Sequence, residues 1–102
     1  MAVNVVYILR CADGSLYTGA ARDLTRRLAQ HEAGLASRYT RTRLPVTLVW
    51  SRRERTWGRA LQAEYWIKQL PRAAKDALVA GGALRVRRTR DTSRSRPTTK
   101  TR

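Results

Sequence analysis

Val3-Asn4-Val5-Val6-Tyr7-Ile8-Leu9-Arg10-Cys11-Ala12-Asp13-Gly14-Ser15-Leu16-Tyr17-Thr18-Gly19-Ala20 is the stretch on which the fold turns. Residues 3–11 are β-branched and aromatic, which reads as a strand. Asp13-Gly14 is a strong hairpin signal, and 16–20 reads as the return strand. Loop length then decides which way side chains point. A two-residue loop at Asp13-Gly14 pairs Tyr7 with Ala20 and Tyr17 with Arg10, and sends the two tyrosines to opposite faces. A three-residue loop, Ala12-Asp13-Gly14, with Gly14 in the left-handed region, pairs Tyr7 with Gly19 and Tyr17 with Leu9. Both tyrosines then share a face.

Downstream of the hairpin, Asp23 is a good helix N-cap, and Leu24 and Leu28 begin an apolar stripe at i, i+4. Gly34 is placed to end that helix. Residues 35–45 read as an exposed basic loop carrying Arg38, Tyr39, Arg41 and Arg43 and closing at Pro45. A third strand is expected over 46–51. A helix follows over 57–70, with Ala60, Leu61, Ala63, Ile67 and Leu70 as its apolar positions. Pro71 suits the first turn of a short helix over 72–80, which Gly81-Gly82 stops. From Arg85 onward Arg, Thr, Ser and Pro dominate, so 85–102 is expected to be a disordered basic tail behind a domain over 1–84. The order β-β-α-β-α-α describes an α+β fold: a small three-stranded antiparallel sheet flanked by helices.

Charge supplies the first functional clue. The 102 residues carry 22 basic side chains against 7 acidic ones, a formal net charge of +15. The excess persists within 1–84, which has fourteen basic and six acidic residues. Such a surface attracts phosphate backbones, so nucleic acid is the expected partner, DNA ahead of RNA. An Arg-biased genome is the bland alternative, since 19 of the 22 are Arg. No apolar run approaches the roughly 18 residues of a membrane span, so no membrane role is expected. No signal peptide is apparent. Cys11 is the sole cysteine, which excludes an internal disulfide and fits a reducing cytoplasm. No zinc-type Cys/His pattern or phosphate-cradling Gly loop occurs.

Val6-Tyr7-Ile8, followed nine residues later by Tyr17-Thr18-Gly19, resembles the paired signature of the GIY-YIG nuclease family. The likeness continues through Asp23-Leu24-Thr25-Arg26-Arg27-Leu28, where Arg27 matches a catalytic Arg, and through His31 one turn later. Ala63-Glu64-Tyr65-Trp66-Ile67-Lys68-Gln69-Leu70 resembles the later helix, whose metal-binding Glu corresponds to Glu64. Tyr39-Thr40-Arg41 ahead of the third strand is similar to the short, single-domain branch. Two departures, Val6 and Thr18, lie beside the tyrosines rather than at them. The resemblance implies a metal-dependent endonuclease cutting DNA, in repair or processing, with one Mg²⁺ or Mn²⁺ and 5′-phosphate products. It implies Tyr7, Tyr17, Arg27, His31 and Glu64 as catalytic residues, Glu64 as metal ligand, and Arg38, Tyr39, Arg41 and Arg43 as substrate contacts. It also requires the tyrosines to share a face, which selects the three-residue hairpin loop. Gly19 then leaves room beside Tyr7.

The residue types suit that chemistry on their own terms. Glu64 offers oxygen to a hard cation, which stabilises phosphate charge and acidifies bound water. Arg27 supplies a permanent planar fork for phosphate oxygens. A Tyr orients or deprotonates water once neighbours lower its pKa, and either Tyr7 or Tyr17 fits, with His31 as the competing base. Glu64 could instead be the structural partner of an Arg on the sheet. Trp50, Trp57 and Trp66 read as packing residues, and Cys11 as a small buried hydrophobe. Two other readings stand beside the nuclease: a nucleic-acid-binding module with little or no turnover, and a basic protein that recruits a repair partner. With no room for a separate DNA-binding domain, specificity is expected to be low unless a protein partner supplies it.

Overall fold

The computed structural model describes residues 3–81, so the expectations for the basic tail and the end of the domain lie outside the described residues. Strands β1 (Val5–Arg10), β2 (Leu16–Ala21) and β3 (Thr47–Arg53) form one antiparallel sheet in the order β2-β1-β3. The helices are α1 (Leu24–Glu32), α2 (Arg38–Arg41), α3 (Trp57–Gln69) and α4 (Arg72–Val79). The α+β class and the flanked three-stranded sheet are as the sequence predicts. The element order gains one member, because the stretch read as an exposed loop contains α2. Ser37 caps that short helix by accepting from the backbone of Tyr39 and Thr40, and Thr40 is wholly buried.

The hairpin takes the longer loop. Tyr7 pairs with Gly19 and Tyr17 with Leu9, Cys11 N–H donates to the Ser15 carbonyl, and Gly14 sits at φ 87°. The turn is tied at both sides. Asp13 Oδ2 accepts from Arg43 Nε at 3.1 Å, and the Gly14 carbonyl accepts from Arg72 Nη2 at 3.1 Å.

Strand alternation then builds two cores. Val6 and Ile8 face Ala63 and Ile67 of α3 and Leu78 of α4. Val5, Tyr7 and Leu9 face the other way, onto Leu24 and Leu28 of α1. Central β1 is covered on both faces, and five of its six residues are essentially inaccessible. Its pairing with β3 slips between Ile8 and Leu9, leaving Val49 as the extra residue of a β-bulge. Val49 and Trp50 consequently both pack on the α3 side.

Asp23 caps α1 by accepting from Arg26 N–H at 3.1 Å. Gly34, at φ 76°, closes the helix with Gly34 N–H on the His31 carbonyl and Leu35 N–H on the Gln30 carbonyl, a Schellman ending. On α3 only Ala60, Ala63 and Ile67 are buried. Leu61 and Trp66, expected in the core, are exposed, because a three-stranded sheet covers only a narrow stripe of a helix. Cys11 is buried, as a small apolar residue would be. No helix among the described residues is long and apolar enough to cross a membrane.

Candidate active site

Because Tyr7 and Tyr17 share the α1 face, they meet the helix residues that project toward them. Tyr7 Oη lies 2.9 Å from His31 Nε2. His31 Nδ1 lies 2.9 Å from Thr40 Oγ1, whose hydroxyl points back to the Ser37 carbonyl at 3.4 Å. The arrangement fits one tautomer: Nδ1–H donates to Thr40, and bare Nε2 accepts from the Tyr7 hydroxyl. Both Tyr7 and His31 are fully buried. Tyr17 is half-buried and meets the His31 ring edge-on at 5.3 Å.

Gly19 makes this packing possible. A Cβ there would fall 2.6 Å from Tyr7 Oη and 2.7 Å from Tyr7 Cζ, closer than non-bonded atoms approach.

Burial pushes the Tyr7 hydroxyl up to about 12, and the nearby Tyr17 adds to that rise. Arg27 pulls in the opposite direction by hydrogen bond and charge, and Glu64 pushes weakly upward. Arg27 does lower this tyrosine's pKa, as expected, but among the protein's own groups loss of water outweighs the guanidinium. Burial, and then Arg27, hold His31 below its ordinary value, so the ring is neutral near pH 7. These influences also locate the groups: Tyr17, Arg27 and Glu64 all lie within electrostatic reach of Tyr7.

Arg27 is half-buried on α1 and held from behind, with Nε donating to Gln30 Oε1 at 3.1 Å and Nη1 to the Ala20 carbonyl at 3.4 Å. Glu64 projects from α3, its side chain 21% exposed. Its partner is not an Arg of the sheet but Lys68 one turn on, at 3.2 Å, a half-exposed lysine that an ion could displace. No group of three or more His, Cys, Asp or Glu able to surround a metal occurs among the described residues. A lone carboxylate fits a hard divalent ion that keeps most of its shell as water and phosphate oxygen.

The four residues expected to contact substrate divide. Arg38 and Arg41 are the first and last residues of α2 and are exposed. Tyr39 stacks on Tyr17 at 6.0 Å, and Arg43 lies 3.9 Å over the Tyr39 ring. Arg43 also bonds Asp13 and the Tyr39 carbonyl, so its guanidinium is occupied in holding Tyr39 against Tyr17. Thr40, the buried partner of His31, was missed by sequence reasoning. The signal was available: a capping Ser37 three residues before it, in a stretch with no apolar periodicity. The cleft beside Arg27, lined by Arg22, Arg26, Gln30 and Trp57, was also missed, because Trp57 reads as ordinary packing.

Residues 3–76 match the description of the GIY-YIG catalytic domain. The chain belongs to the GIY-YIG family. This is a nuclease family whose members are typically dependent on divalent metal. Among relatives of this GIY-YIG chain, a UPF0213 protein of Natronomonas pharaonis is 48% identical over 79 residues, covering 78% of this chain and 93% of that one. A UPF0213 protein of Staphylococcus saprophyticus is 42% identical over 82 residues, covering 80% and 100%. The solution NMR structure of the UPF0213 protein BH0048 from Bacillus halodurans aligns at TM-score 0.51 and 42% identity, over 76% of this chain and 82% of that one. That of EF2693 from E. faecalis aligns at 0.54 and 32% identity, over 78% and 85%.

Proposed function

We propose that this GIY-YIG domain is a metal-dependent endonuclease that hydrolyses phosphodiester bonds in DNA. The observation that carries the reading is the gathering of Tyr7, Tyr17, Arg27 and His31 on one face of the sheet, with Glu64 within electrostatic reach. Glu64 would hold Mg²⁺ or Mn²⁺, which supplies charge stabilisation at the phosphate and a more acidic water. Arg27, fixed by Gln30 and Ala20, presents its guanidinium to the charge that builds on the phosphate oxygens. Tyr17, the more open of the two tyrosines, orients the attacking water. Tyr7 need not ionise in advance. Tyr7 is fully buried, so substrate and metal must first open the packing over its hydroxyl. As Tyr7 then takes the proton from water, its own hydroxyl proton passes to His31 Nε2, while His31 keeps its Nδ1 proton on Thr40. His31 is thus the proton acceptor behind Tyr7, not a group that touches substrate. Tyr39 lies against Tyr17, and with it Arg38 and Arg41 of the same short helix contact the nucleic acid.

A panel of labelled DNA and RNA substrates (single strand, duplex, nick, branch) with Mg²⁺, Mn²⁺ or EDTA tests the proposal. Wild-type protein should cut DNA with metal. Glu64→Gln should cut orders of magnitude more slowly, because metal stabilisation of the phosphate is worth several kcal/mol and each ~1.4 kcal/mol is tenfold in rate. Its DNA affinity without metal should hold or tighten slightly, since a negative charge leaves a basic surface. A wild-type protein that binds DNA but cuts nothing in the panel makes it a binding module instead.

A further inference from the structure

Beside Arg27, between the start of α1 and the start of α3, lies an open cleft of about 240 Å³ lined by Arg22, Asp23, Arg26, Arg27, Gln30 and Trp57. Its chemistry is unusual for a surface depression. Three guanidinium groups share it with one indole, and Arg22 lies 4.6 Å over the Trp57 ring. The single carboxylate on its wall, Asp23, is turned to the backbone of α1 as the N-cap. Arg22 and Arg26 are exposed, while Trp57 is half-buried with Arg22 over one face of its ring. Cations that neutralise phosphate, set beside an aromatic ring on which a base can stack once Arg22 turns from the indole to the phosphate, form the combination that binds nucleic acid strands without sequence preference.

We propose that this cleft is a subsite for one unpaired nucleotide flanking the scissile phosphate, with its phosphate on Arg22 and Arg26 and its base against Trp57. The inference rests on the nucleic-acid reading of the neighbouring site, with which the cleft shares Arg27. A base inside a duplex has both faces covered by its neighbours, so only an unpaired or terminal base can offer a face to the indole. The subsite therefore selects DNA in which duplex gives way to single strand: an overhang, a flap or an opened nick.

The test is equilibrium binding of the full chain in EDTA, so that no cleavage enters the readout. Two labelled DNA probes are compared: a covalently closed circular duplex, which has neither ends nor unpaired bases, and a linear duplex of the same sequence carrying a short single-stranded overhang. Wild-type protein should prefer the overhang. Trp57→Ala should lose that preference, on the order of tenfold on the overhang with little change on the closed duplex. Trp57→Phe should retain most of it, because the aromatic face remains. Arg22→Ala should weaken binding to the overhang and reduce its salt slope by about one. If Trp57→Ala fails a thermal melt, Trp57→Leu takes its place, with apolar bulk but no π face, and should bind the two probes alike. Equal binding of both probes by wild type, or the same overhang preference in the Leu and Phe variants, overturns the subsite. The two proposals fail separately. A chain that never cuts but shows Trp57-dependent preference keeps the subsite and loses the nuclease. Cleavage that depends on Glu64, with binding indifferent to Trp57, does the reverse.

Discussion

Burial keeps Tyr7 and His31 neutral over a wider pH range than water does, and this has opposite signatures at the two ends of the pH scale. His31 is held below its ordinary value of 6.5. Under acid the unfolded chain therefore binds a proton that the folded one resists, and stability is full above 6.5 and falls as pH drops below it. Tyr7 is raised to about 12 from 10.0, so the unfolded chain ionises first in alkali, and stability is lost as pH climbs between those values. Thermal melts from pH 7.5 down to 5.5 should show a decline that flattens in His31→Gln; an unchanged slope would mean that other groups set the acid limit. Tyr7→Phe leaves His31 Nε2 buried without a donor and should cost about 1–3 kcal/mol. It should also slow cleavage well beyond any change in DNA affinity. Gly19→Ala drives a methyl into the Tyr7 hydroxyl and ring, and overpacking at a rigid central strand should lower stability by about 1–3 kcal/mol.

The elements differ in how far their sequences announce them. The hairpin was legible down to its register, because Asp13-Gly14 offered two loop lengths and the need to co-locate Tyr7 and Tyr17 rejected one. The start and end of α1 were legible from Asp23 and Gly34, each of which does one local job. Helix α2 was not, since four residues cannot display a period. It is fixed instead by the Ser37 cap and by contacts beyond the helix, Thr40 to His31 and Tyr39 to Tyr17. The Val49 bulge was equally silent, for nothing in 46–51 favours a slip until two residues must pack toward α3 together. Thr40→Val isolates the role of α2. It keeps the buried volume but removes the acceptor for His31 Nδ1–H, so cleavage should fall while DNA binding holds. Thr40→Ser should restore the rate. If Val and Ser variants cut alike, Thr40 serves packing alone.

Across the whole molecule, charge sets how the chain meets a polyanion. Residues 85–102 carry eight basic residues and one acidic one. A chain ending at residue 84 should keep its melting temperature, bind DNA more weakly, and show a shallower dependence of affinity on salt, since fewer counterions are released. An unchanged salt slope would assign the terminal segment another role. The candidate site was legible at this scale only through the order and spacing of five short pieces, because no one of them is distinctive. What lay beyond reading was contact across the fold, such as Arg22 over Trp57 or Asp13 bound to Arg43, where the partners are 35 and 30 positions apart. That last bond has a practical side. A tight turn is usually where a chain tolerates being opened, lengthened or fused to a reporter. Here the Ala12-Asp13-Gly14 turn is moored to the segment after α2 through Arg43 and to α4 through Arg72. New termini or a tag inserted at the turn would cast off both moorings together and loosen Tyr39 above Tyr17, so circular permutants of this domain are better opened elsewhere.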